Sequence, residues 1–221
     1  MVDVDAQEAV LAEYVDGLAD PESVSRTWRS RAIQYTMIAN DIEAYRPFSE
    51  LLGLALEYAL QSNGHEVDPA VREEIRTTVY EDRLAVFDDV RPGLERLVEA
   101  GYPVYILSNG DPTMLEHLVA AAALDGIVSE AISADGVQTY KPDPGIYRYA
   151  ADRIGTDIGD ILHVSGGSMR DVWGAKHAGM RTAWLNRPEK HFPRESLGVA
   201  PDMQVESFLD LADRLAGSSE L

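Results

Sequence analysis

The feature that most constrains this chain is a change of period near residue 86. Beyond it, short apolar runs alternate with longer amphipathic stretches. VYIL (104–107), ILHVS (161–165) and RTAWL (181–185) are too short and too continuously apolar for surface helices. RPGLERLVEAG, PTMLEHLVAAAAL, PGIYRYAADRIG, MRDVWGAKHAG and SFLDLADRLAG carry helical spacing instead, and GIVSEAIS holds one further short strand. Parallel neighbours need a crossover, and the crossover helices cover the sheet. The alternation therefore predicts an α/β fold: a doubly wound parallel sheet with helices on both faces.

Residues 6–85 read differently, as helix after helix. AVLAEYVDGL is amphipathic and stops before Asp20-Pro21. Ser23 is the candidate cap of the next helix, which carries Trp28, Ile33, Tyr35, Met37 and Ile38. Pro47 opens PFSELLGLALEYALQSNG, which ends at Gly64, and Asp68-Pro69 opens a last helix running toward Leu84. No strand is read in this half. The division is a helical unit over residues 1–85 and an α/β unit over 86–221. The terminal GSSEL is expected to fray.

Composition narrows the function classes. Cysteine is absent, so disulfides, thiol nucleophiles and cysteine-held metals are excluded, and a cytoplasmic location is the default. Net charge is −19, and the only lysines among the 221 residues are Lys141, Lys176 and Lys190. An acidic, lysine-poor surface suits a protein kept soluble at high salt, where self-repulsion is screened. It argues against nucleic-acid phosphate as a partner. No apolar run reaches the roughly 18 residues that span a bilayer, so no membrane role is expected. The apolar, aromatic helices of the first half allow a homodimer, though core packing accounts for them equally well.

In an open parallel sheet, chemistry sits at the carboxyl ends of the strands. Ser108 and Asn109 follow one strand, and Ser165 and Gly166 follow another. Lys141 lies in the loop YKPDPGIY, and Asp171 lies near the start of a helix six residues after Ser165. Each residue alone has a plainer explanation. Ser-Asn-Gly-Asp is a common turn and helix cap. Lys141 could be a solvated loop lysine, Asp171 could favour a helix N-terminus, and Tyr147 could be core. Together they could converge on one crevice.

YILSNGDPTML, YKPDPGIYRYA and HVSGGSMRDVWGAKHAGMRTAWLNRP, in this order, resemble the haloacid dehalogenase superfamily. SRTWRSRAIQYTMIANDIEAYRPFSELLGLALEYAL resembles the cap of the type II 2-haloacid dehalogenases. The resemblance implies a Rossmann-like core beneath an N-terminal helical cap. It also implies a small anionic substrate and no cofactor: an aspartate displaces halide, and water hydrolyses the aspartyl ester. Lys141 would then fix positive charge beside the nucleophile, and Ser108 and Asn109 would donate hydrogen bonds to the nucleophile or the substrate carboxylate. Tyr147 would line the substrate side, Ser165 would add a hydroxyl, and Asp171 would hold Lys141 or orient the hydrolytic water.

The chain also departs from that pattern. The family opens on a central strand ending in Asp-x-x-Gly-Thr, which carries the nucleophile. Here only Met1 and Val2 precede Asp3 and Asp5, and no strand is expected to present them. The central first strand is therefore read as missing, with the natural start expected upstream of Met1. Asp152, Gly155 and Thr156 reproduce the motif by coincidence at a helix end. Ala39 occupies the family's substrate-binding arginine position; Asn40 is adjacent but uncharged, and Arg31 and Arg46 are out of register. The phosphatase members hold Mg²⁺ with an acidic pair, of which Gly166 replaces the first member and Asp171 remains. Two alternatives therefore stand beside the dehalogenase reading: a Mg²⁺-dependent phosphomonoesterase, and a catalytically silent binding or assembly protein. His65, His117, His163, His177 and His191 show no metal-ligand spacing. His163, in a strand, reads as a satisfied core residue.

Overall fold

The computed structural model describes residues 2–3, 6–83, 85–187 and 199–217. Asp5, Lys190, His191 and residues 218–221 lie outside them, with the readings placed there.

The first half is helical as its spacing predicts: α1 (Ala6–Tyr14), α2 (Pro21–Asp41), α3 (Phe48–Ser62) and α4 (Pro69–Thr77), the last continuing into a π-helical turn at Thr78–Asp82. Asp20, not Ser23, caps α2. Its carboxylate accepts the Ser23 N–H at 2.9 Å. Pro21 occupies the first turn and has no N–H, so the cap falls on the residue before it. The apolar stripes meet in one cluster that includes Leu11, Trp28, Leu52, Leu56 and Ile75. The Trp28 indole N–H is satisfied by the Leu52 carbonyl at 2.9 Å. Met37 and Ile38, on the same helix as Trp28, are exposed.

The amino-terminal region does contain extended backbone. β1 (Val2–Asp3) pairs antiparallel with β2 (Ala85–Val86), Val2 opposite Val86 and Asp3 opposite Ala85. The expectation that no strand forms around Asp3 is corrected to this extent. Two residues are too few to show a period, and their partner is remote in sequence.

The second half alternates: α5 (Val90–Glu99), β3 (Val104–Ser108), α6 (Pro112–Ala121), β4 (Val128–Ser133), α7 (Pro144–Ile154), β5 (Leu162–Ser165), α8 (Gly174–Ala178), β6 (Arg181–Leu185), β7 (Met203–Val205) and α9 (Phe208–Gly217). A π-helical turn at Ser168–Trp173 leads into α8, so the single helix expected over MRDVWGAKHAG is two pieces. Gly155, at φ +67°, ends α7, which is why the Asp-x-x-Gly-Thr match there is a helix terminus.

The strands form two separate parallel sheets, β3-β4 and β5-β6-β7. Among the described residues no strand joins β3 to β5. Burial follows the pairing. β6 has neighbours on both sides and is buried from Thr182 to Leu185, whereas β5 is only half-buried throughout and β3 is half-buried except at Ile106. Alternation along β6 sends Ala183 and Leu185 into a cluster with Leu94 of α5 and Phe208 and Leu211 of α9. A third cluster joins the halves, with Ala39 of α2 and Leu51 of α3 packed among Tyr140, Ile146 and Tyr147.

Candidate active site

A cleft of about 910 Å³ is lined by residues of both β3 and β5. Ser108 at the end of β3, Ser165 at the end of β5, Lys141 and Asp171 all line it. Local chemistry places each group. Ser108 accepts the Gly110 N–H at 3.0 Å, and Ser165 accepts the Gly167 N–H at 3.0 Å, so each hydroxyl oxygen is fixed by the turn that terminates its strand. Asn109 points its Oδ1 at the backbone N–H of Lys141 (3.0 Å) and so holds the lysine loop against the β3 end. The Lys141–Pro142 peptide is cis.

Lys141 is 8% exposed, and its ammonium donates to Asp171 Oδ1 at 2.7 Å and to the Leu107 carbonyl at 2.7 Å. An ammonium has three N–H groups, so one remains for a further acceptor. Burial by itself pushes the Asp171 carboxyl up. Lys141 and, less strongly, His163 outweigh this and hold it well below the usual carboxylate range. His163 is in β5, as expected, but its buried Nε2 is 3.5 Å from Asp171 Oδ1, too long for a good hydrogen bond. Burial pushes its pKa down, which favours the neutral imidazole. Tyr147 is fully buried behind this pair. Its hydroxyl donates to the Arg170 carbonyl and its ring meets His163 edge-on at 5.5 Å, and burial pushes its phenol up.

Sequence reasoning passed over three contacts that tie the helical half to this edge. The Asp111 carboxylate accepts the N–H groups of Phe48 (2.6 Å) and Ser49 (3.0 Å) and so caps α3 from across the seam. Asn40 brackets Tyr140, donating to its carbonyl at 2.7 Å and accepting its N–H at 2.9 Å. The Tyr140 hydroxyl donates to the Arg46 carbonyl. Asn40 carried a signal as the polar neighbour of Ala39, and Asp111 carried one only as a candidate cap of its own following helix. Arg31 lies over the Tyr58 ring at 3.8 Å, and Arg46 pairs with Glu50 at 2.6 Å, so both are engaged within the helical half.

The donor set does not suit Mg²⁺. Gly166 offers no side chain, Asp171 is committed to Lys141, and among the described residues no group of three or more acidic or histidine side chains could hold a metal. The fold and this edge define a parallel α/β protein in which a buried lysine–aspartate pair lines a cleft between β3 and β5.

A family model described as haloacid dehalogenase-like hydrolase matches residues 7–179, and the chain belongs to that family. It is 33% identical over 193 residues to (S)-2-haloacid dehalogenase 4A of Burkholderia cepacia, covering 86% of this chain and 82% of the relative. It is 32% identical over 200 residues to (S)-2-haloacid dehalogenase of Pseudomonas sp. (strain YL), covering 89% and 84%. The structure of L-2-haloacid dehalogenase from Xanthobacter autotrophicus with chloropropionic acid covalently bound superposes with a TM-score of 0.89 at 26% identity, covering 99% of this chain and 95% of that one.

Proposed function

We propose that this protein is a hydrolase of the 2-haloacid dehalogenase type, acting on a small anionic substrate. The observation that carries the reading is the buried Lys141 ammonium. It is fixed between Asp171 and the Leu107 carbonyl at the carboxyl ends of β3 and β5, with one N–H still available. In the reaction, a carboxylate oxygen bonds to the halogen-bearing carbon as the carbon–halogen bond breaks and halide leaves. Water then cleaves the resulting ester, releasing the hydroxy acid and a proton. Lys141 offsets the carboxylate charge. Ser108, Asn109 and Ser165 shape the anion site. Asp171 holds Lys141 in place, whereas Tyr147, expected on the substrate side, is buried away from the cleft and its hydroxyl donates to the Arg170 carbonyl. The attacking carboxylate is not among the site's described residues.

The test is halide release from a panel of 2-haloacids, with and without EDTA. It is run on the chain and on a form extended upstream through any in-frame strand ending in aspartate. The extended form is expected to release halide whether or not chelator is present, and Lys141→Gln is expected to abolish release. No release by either form across the panel rejects the reading.

The same proposal includes a helical cap over residues 1–85, an α/β core over 86–221, a high-salt setting, a cytoplasmic location and a homodimer. Net charge −19 with only three lysines supports the high-salt setting. The absence of cysteine supports the location. The exposed Met37, Ile38 and Ile42 on and just after α2 support the dimer. No helix among the described residues is long and apolar enough to cross a membrane.

A further inference from the structure

The loop that carries Lys141 is held from both halves of the chain. In the α/β half, Asn109 Oδ1 accepts the Lys141 N–H at 3.0 Å. In the helical half, Asn40, in the last turn of α2, holds the two residues before it. Its Nδ2 donates to the Tyr140 carbonyl at 2.7 Å, and its Oδ1 accepts the Tyr140 N–H at 2.9 Å and the Thr139 hydroxyl at 3.2 Å. The Tyr140 ring is fully buried against the same half, stacked on Tyr45 at 5.1 Å and tilted against Phe48 at 6.1 Å. Gln138 precedes these residues at φ +53°, a conformation that non-glycine residues keep only where surrounding contacts support it. The Lys141 ammonium, by contrast, is bonded to the α/β half, at Asp171 and the Leu107 carbonyl.

We propose that Asn40 is a positioning residue for Lys141. Acting through the Tyr140 backbone, it fixes from the helical half the stretch of chain on which the ammonium is carried. Docking of the two halves is the plainer account of these bonds. It would spread polar links along the seam, as the Tyr45 hydroxyl does by donating to Asp135 at 3.1 Å. All three Asn40 bonds instead fall on Thr139 and Tyr140, within two residues of the lysine, and they use both the donor and the acceptor of one amide. The contacts carry the positioning claim. Its consequence for catalysis rests on the dehalogenase reading, in which Lys141 offsets a carboxylate.

The test is an acetylation footprint of the full chain, read by mass spectrometry. Three lysines make each site assignable, and Lys176, more exposed than Lys141, is the internal reference. Asn40→Ala is expected to speed acetylation of Lys141 about tenfold relative to Lys176, and to speed amide exchange at residues 140 and 141. Thr139→Val removes only the hydroxyl held by Asn40 and should act in the same direction by less. It decides the matter if Asn40→Ala does not fold. Tyr45→Phe removes a seam bond outside the lysine loop and should leave Lys141 protected. The proposal is overturned if Lys141 stays protected in both loop variants, or if Tyr45→Phe exposes it as much as they do. In a form that releases halide, Asn40→Ala should lower kcat more than it changes KM, and an unchanged kcat with a loosened Lys141 would also overturn the positioning role. A loosened Lys141 without halide release from any form counts against the dehalogenase reading and leaves the positioning claim standing.

Discussion

Lys141 Nζ lies 2.7 Å from Asp171 Oδ1, and both side chains are largely withdrawn from solvent. Two opposite charges so placed have already lost most of their hydration. Removing one strands the other, at a cost that usually exceeds the net worth of the pair.

Lys141→Met is therefore expected to destabilise the fold by about 3–5 kcal/mol in urea unfolding. The double variant Lys141→Met/Asp171→Leu should lose less than the sum of the two single losses, because it leaves no unpaired charge. Additive losses would show that the two groups do not act as a pair.

Acid should act on this site in two stages. Burial holds the His163 imidazole below its ordinary value of 6.5. As pH falls, the unfolded chain takes up that proton first. The stability linked to neutral His163 is thus complete above about pH 6.5 and is lost progressively below it. Asp171, held below its ordinary 3.8, contributes stability that is complete above the unfolded value and lost as pH falls through the lower folded one. His163→Gln should flatten the near-neutral limb of a stability–pH profile and leave the acidic limb in place. A profile unchanged in slope would contradict this.

Asp111 supplies the side-chain cap that Pro47, at the α3 boundary, does not. Asp111→Ala should cost about 1–2 kcal/mol. It should also speed amide exchange in the first turn of α3 more than in α2. Asp111→Asn, which keeps an acceptor, should cost less.

Two helix-interior glycines should respond with opposite signs. A Cβ at Gly93 would meet Phe208 Cβ at 2.4 Å and its backbone carbonyl carbon at 2.6 Å, so Gly93→Ala should destabilise by about 1–3 kcal/mol. A Cβ at Gly53 meets nothing within 4 Å, so Gly53→Ala should stabilise by about 0.5–1 kcal/mol. Melting temperatures should separate the two variants in both directions.

Legibility in the sequence followed range. The helices of the first half were readable from their local period, and the strands at 104–107, 161–165 and 181–185 from short, nearly continuous apolar runs. β7, three residues long, and β1, two residues long, were not, because a period needs more turns of the pattern than they contain. The cap on α2 moved from Ser23 to Asp20 for a local reason too, the missing N–H of Pro21. By contrast, Asp111 capping α3 and Asn40 bracketing Tyr140 are contacts between residues 62 or more positions apart. The local sequence marks Asn40 and Asp111 as polar, but it does not name their distant partners.

The sequence by itself determined the helical first half, the alternating second half, and which polar residues follow each strand, because side-chain period and turn chemistry are local. Only the tertiary structure decided that Lys141 divides its donors between Asp171 and the Leu107 carbonyl, that Tyr147 is buried behind them, and that β3 and β5 border one open cleft. Those outcomes depend on where separate elements come to rest against one another. That is set by the joint burial of many side chains, which no single stretch of the chain encodes.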